Sequence, residues 1–72
     1  MPAEPGSQYR HFKGALYVCV AIAQHTETEE VLVVYKREDK SGRVWARPLS
    51  MWDEEVEWPD GERRPRFAPE IR

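Results

Sequence analysis

The sequence predicts a small, mostly β domain: a curled antiparallel sheet or an SH3-like barrel, with one short helical turn after Pro48. Three observations carry this. Apolar runs rich in β-branched residues stand at 15–23, 31–36 and 43–47, and short runs of that composition favour strands over helices. Polar segments with turn-forming residues separate them. A proline closes the third run, where a ladder would lose its amide donor.

The elements follow in order. Residues 1–8 hold two prolines, a glycine and a serine with no apolar period, so they read as a mobile leader. Tyr9-Arg10-His11-Phe12-Lys13 alternates until Gly14 breaks it, as a short strand running into a turn does. In 15–23, Leu16, Val18, Val20 and Ile22 share one face by period two, and Tyr17, Cys19, Ala21 and Ala23 share the other. Both faces are apolar, which predicts a central strand covered on both sides. Residues 24–30 form a polar loop and 31–36 a second strand. The charged segment 37–42, ending in Ser41-Gly42, supplies a hairpin turn. In the third strand Val44 and Ala46 face one way, and Arg43, Trp45 and Arg47 the other. After Pro48, Ser50 is placed to cap a helical turn over 51–54, with acids near its start. Val56-Glu57-Trp58, a turn at 59–62 and Arg66-Phe67 complete a single domain at 9–68, with a tail at 69–72. Strand order stays open.

Composition narrows the function classes. A chain of 72 residues buries only about 60% of its unfolded surface, so its stability margin is thin. Cys19 is the lone cysteine, which excludes an internal disulfide and a four-cysteine zinc module. Large rings are the remaining source of buried area. The longest apolar run, Ala15 to Ala23, is far short of a membrane helix. A free thiol and no export signal point to the cytoplasm. The net charge of −2 gives no general argument for nucleic acid or a membrane. Four arginines against one glutamate in 63–72 read as a solvated tail, with phosphate contact as the sharper alternative.

The ordered series Tyr9-Arg10-His11-Phe12-Lys13-Gly14, Tyr17, His25 with Glu27, Val33-Val34-Tyr35, Trp45-Ala46-Arg47-Pro48, Met51 and Arg66-Phe67 resembles the bacterial domain-of-unknown-function 1653 family (DUF1653). The resemblance runs from about residue 9 to 68. It implies a compact β-rich bacterial protein and no particular activity. Departures are Ala15 in place of a second glycine, Trp52 in place of phenylalanine, and a charged Arg37-Glu38-Asp39 at the hairpin tip.

Two constellations could carry chemistry. His11, His25 and Glu27 have the residue types of a two-histidine, one-carboxylate metal set, although the spacing is uninformative and a turn-capping His25 is the plainer reading. Trp45 and Arg47 share a strand face, and with Lys13 and Tyr17 or Tyr35 they would form a cationic aromatic groove suited to a base or an anion. The plainer reading makes Trp45 core, with Arg47 lying over it and paired to Glu27 or Glu55. Cys19, mid-strand among apolar residues, reads as an inert thiol, and the isolated glycines form no phosphate loop.

The leading expectation is a non-catalytic binding module, with His11, Lys13, His25, Glu27, Tyr35, Trp45 and Arg47 as candidate ligand residues. Its ligand would be a nucleotide, nucleic acid or peptide; no cofactor or metal is expected. A small enzyme or metal-dependent accessory protein using His11, His25, Glu27 and Arg47 is the second reading. A homodimer with Trp52 or Trp58 plugging the subunit contact is the third.

Overall fold

Seven short strands and one helical turn make up the fold of the described residues. The structure is a computed structural model and describes residues 3–70. In chain order the elements are β1 (Gln8–His11), β2 (Leu16–Gln24), β3 (Val31–Arg37), β4 (Val44–Pro48), α1 (Leu49–Trp52), β5 (Glu55–Glu57), β6 (Arg63–Pro65) and β7 (Phe67–Pro69). Five of them form an antiparallel sheet in the order β4-β3-β2-β1-β7, and β5 and β6 form a separate ribbon. The sheet has two edges, β4 and β7, so it is the curled sheet and not the barrel. Pro48 ends β4, α1 leads the chain away, and β4 does not pair with β7.

A β-bulge corrects the expected faces of β2. Cys19 pairs with Tyr35, but Ala21 pairs with Val34 and Ile22 with Val33, so Val20 is the extra residue. A bulge inserts one unpaired residue and reverses the alternation beyond it. Tyr17 and Cys19 therefore share the core face with Ile22, while Ala21 and Ala23 join Leu16 and Val18 opposite. The expected cover on both sides is also corrected. β2 is central in the sheet, yet only one face carries the core. On the other, Val20 is 45% and Val44 55% exposed. Little in this chain is left over to form a second layer.

The core holds Ala3, Tyr9, Cys19, Val33, Tyr35, Trp52 and Phe67, with Tyr17, Ile22 and Leu49 packed around it. Trp52 is fully buried and lies flat on Phe67, with ring centroids 3.9 Å apart and planes 1° from parallel. Tyr9 and Tyr35 meet its edges, both at 5.2 Å. Such ring pairs contribute about 0.5–1.5 kcal/mol each beyond area burial. Trp52 thus fills this chain's own core and is not available to plug a subunit contact.

α1 starts one residue after Pro48 and has no side-chain cap. Ser50 lies inside it, and Asp53 is its C-terminal boundary with a backbone N–H donated to the Leu49 carbonyl. The expected Ser50 cap and acidic first turn do not form, because Pro48 supplies a suitable backbone angle for entry without a polar cap.

The segments read as a mobile leader and as a solvated basic tail have partners within the chain. In the segment read as a leader, Ala3 is buried, the Glu4 N–H donates to the Tyr9 hydroxyl, and the Gly6 N–H donates to the Cys19 carbonyl. In the segment read as a basic tail, Arg64 pairs with Asp60 at 2.6 Å and Arg66 with Glu54 at 3.1 Å. Arg63 donates to the Glu55 carbonyl at 3.1 Å. These arginines belong to β6 and the step into β7. Arg72 lies outside the described residues.

Candidate functional site: an aromatic floor with a cationic rim

The turn between β1 and β2 builds one side of the site. The Gly14 N–H donates to the His11 carbonyl at 2.8 Å, closing four residues into a turn. Gly14 has φ +104°, a conformation that glycine adopts without steric cost. The turn puts Phe12 and Lys13 at its tip and leaves His11 as the last residue of β1. The Lys13 backbone N–H then donates to His11 Nδ1 at 3.1 Å. With Nδ1 accepting, a neutral His11 carries its proton on Nε2.

Strand pairing builds the rest. His11 stands opposite Phe67, Tyr9 opposite Tyr17, and Tyr35 opposite Trp45. The result is a continuous aromatic surface. His11 lies 4.6 Å from Phe12, 4.9 Å from Phe67 and 6.0 Å from Tyr17. Tyr17 lies 5.5 Å from Tyr35 and 6.3 Å from Trp45. Tyr35 and Phe67 belong to the buried floor. Trp45 is 38% exposed on edge strand β4.

Three cations rim this surface. The Arg47 guanidinium sits 5.6 Å from the Phe67 ring centroid. Arg66 sits 5.6 Å and the Lys13 ammonium 5.8 Å from the Phe12 ring. All three act on His11. Burial first, then the charges of Arg66, Arg47 and Lys13, hold its pKa below the ordinary histidine range. Among the described residues neither Lys13 nor Arg47 has a carboxylate partner. Arg47 therefore does not pair with Glu27 or Glu55, and Trp45 is a rim residue and not core.

The structure divides the sequence-derived candidates. His11, Lys13, Tyr35, Trp45 and Arg47 converge. His25 and Glu27 do not. His25 follows the far end of β2, a separation of about 25 Å from His11 by strand rise. There its Nδ1 accepts the backbone N–H groups of Glu27 and Thr28 at 3.1 and 3.3 Å. The Glu27 carboxylate lies 3.3 Å from the same nitrogen, but an accepting nitrogen has no proton to offer it. Among the described residues no group of three or more histidine, cysteine or acidic side chains is arranged to hold a metal.

Phe12, Phe67 and Arg66 belong to the site although sequence reasoning did not choose them. The available signal was the adjacent Arg66-Phe67, read as a pairing segment. Its partner strand is β1, at the opposite end of the chain. Cys19 adds no nucleophile: it is buried, its thiol is pushed up by burial, and Sγ donates to the Ala21 carbonyl at 3.8 Å. An open recess of about 490 Å³ lies elsewhere, at the β3–β4 hairpin, lined by Val18, Lys36, Arg37, Glu38 and Asp39. Its charges offset one another, and Arg37 approaches Asp39 at 3.5 Å. No helix among the described residues is long and apolar enough to cross a membrane.

Comparisons with known proteins agree with this architecture. The model of a family described as protein of unknown function (DUF1653) matches residues 7–69. A crystal structure of a DUF1653 protein from Bordetella bronchiseptica is similar at a TM-score of 0.75 and 42% identity, over 90% of this chain and 83% of that one. A search of curated proteins gives no match.

Proposed function

The chain belongs to the DUF1653 family, and we propose that it is a binding module for an anionic ligand carrying a planar group. The observation that carries this reading is the convergence of Lys13, Arg47 and Arg66 on one partly exposed aromatic surface in a chain of net charge −2. Two of those cations lack a carboxylate partner among the described residues. Cations held over rings with no counter-charge supply an attractive field for an anion. The rings supply a surface on which a flat group stacks.

The competing readings lose support. An accessory enzyme using His11, His25, Glu27 and Arg47 needs residues that stand at opposite ends of β2. A dimer plugged by a tryptophan loses Trp52 to the core. Trp58 is half-buried, donates its indole N–H to the Pro65 carbonyl at 3.0 Å and lies 4.4 Å beneath Arg64.

An amide-resolved NMR titration with inorganic phosphate and pyrophosphate tests the reading. Shift changes confined to His11, Lys13, the Trp45 indole and Arg47, lost in Arg47→Gln, are the expected result. Changes spread over the acidic loops and hairpin tip, or unaltered in Arg47→Gln, would refute it.

A further inference from the structure

His11 is reached by each cation of the rim across a single ring. Phe12 lies 4.6 Å from the imidazole and carries Arg66 and Lys13 at 5.6 and 5.8 Å. Phe67 lies 4.9 Å from it and carries Arg47 at 5.6 Å. Three parts of the fold therefore bring positive charge to one half-buried histidine: the β1–β2 turn, β4 and the step from β6 into β7. From β2 it meets the Tyr17 ring at 6.0 Å. Among the described residues no carboxylate pairs with His11. Glu54, the acid at this rim, is held by Arg66 at 3.1 Å.

Every feature of this setting resists a proton. Burial favours the uncharged ring, and three cations repel a fourth. Nδ1, the nitrogen free to take a proton, is occupied by the Lys13 backbone N–H at 3.1 Å, a bond that favours the neutral ring. Of these, the repulsion is the part that a ligand can cancel. An anion lodged among Lys13, Arg47 and Arg66 offsets their charges and attracts an imidazolium. A proton from solvent then enters at Nδ1 and displaces the Lys13 N–H. The turn keeps its other bond, from the Gly14 N–H to the His11 carbonyl at 2.8 Å. The linkage is reciprocal: the factor by which the anion raises proton affinity is the factor by which the proton raises anion affinity.

Resting on the anion-binding reading above, we infer that this rim takes its anion together with a proton on His11, so that the site fills as the pH falls and empties as it rises. His25 supplies a contrast within the same chain. It follows the far end of β2, about 25 Å away by strand rise, and the rim cations do not converge there.

The test is a sulfate titration of the whole chain, at ionic strength held constant with sodium chloride, followed by histidine-resolved NMR from pH 8 to 4.5. Sulfate keeps its charge over this range, so a pH dependence of binding belongs to the protein. Saturating sulfate is expected to raise the proton affinity of His11 about three- to ten-fold and to leave that of His25 unchanged. Sulfate affinity should rise by the same factor from the top of the range to the bottom. His11→Gln should still bind sulfate at pH 8 and lose the pH dependence, with a melting curve showing that it is folded. Sulfate binding with unmoved His11 titration overturns the inference and leaves the anion-binding reading standing. An equal shift of both histidines also overturns it, as a general effect of salt. Failure of sulfate, phosphate and pyrophosphate alike to move the rim amides at any pH defeats both readings.

Discussion

Trp45 and Trp52 both lie against Tyr35, at 6.0 and 5.2 Å, and their situations are opposite. Trp52 is fully buried, stacked on Phe67 and edged by Tyr9 and Tyr35. Trp45 is more than a third exposed, on an edge strand, and Arg47, two residues away, has no carboxylate partner among the described residues. Tyr35 joins the two, so the ring network runs unbroken from the centre of the core to the surface. The contrast teaches that aromatic composition alone does not assign a role. The same residue type anchors the fold at one end of the network and is left for a partner at the other.

The largest expected effect tests the buried end. Trp52→Ala removes a whole indole from a packed site, and such truncations cost about 3–5 kcal/mol. For a domain this small that approaches the total stability. The variant should be largely unfolded by circular dichroism and lose dispersion in its NMR spectrum.

At the rim, Trp45→Ala should cost less than Trp52→Ala, about 2 kcal/mol, since more than a third of Trp45 is already in water. Urea unfolding measures this. A loss equal to that of Trp52→Ala would erase the contrast and make Trp45 part of the core.

His11 lies between the two ends and gives a pH signature. Burial and the neighbouring cations hold its folded pKa below the unfolded value. The unfolded chain therefore binds more protons in the intervening range. Stability is complete above about pH 6.5 and falls as pH descends through that value toward the lower folded pKa. Urea midpoints at pH 7.5 and 5 should differ more for the native chain than for His11→Gln. An equal difference would mean that neither burial nor the cations lower the His11 pKa in the folded chain.

The smallest effect lies far from both rings. Glu29 has φ +63° and holds a left-handed conformation that costs a non-glycine residue about 1 kcal/mol. Glu29→Gly should raise the melting temperature slightly or leave it unchanged, and leave the site untouched. A clear fall would show that the Glu29 side chain supports the loop.

The sequence made some features legible for physical reasons. β2, β3 and β4 were readable because β-branched runs end at recognisable turns. The shared face of Trp45 and Arg47 was readable because a regular strand has period two. The exit from β2 was not, since the bulge at Val20 reverses alternation without a sequence mark. The meeting of His11, Lys13 and Phe12 with Phe67 and Arg66 was also hidden. It depends on β1 pairing with β7, a contact between the two ends of the chain. His25 and Glu27 looked equal to His11 because spacing along a chain does not reveal which end of a strand a loop occupies.

The bulge has one more consequence, for changes in length. Loss of a single residue from a central strand ordinarily turns every later side chain to the wrong face. Here Val20 is supernumerary. Without it, Tyr17, Cys19 and Ile22 fall into uninterrupted alternation, and every cross-strand partner from Tyr35 to Val31 is retained. A deletion of Val20 should therefore fold, with a flatter sheet, and so should a deletion of Ala21, since Val20 then stands opposite Val34; a deletion of Val33 from β3, which carries no bulge, should not. The middle of the longest strand is the place in this sheet where the reading frame of the fold has a residue to spare.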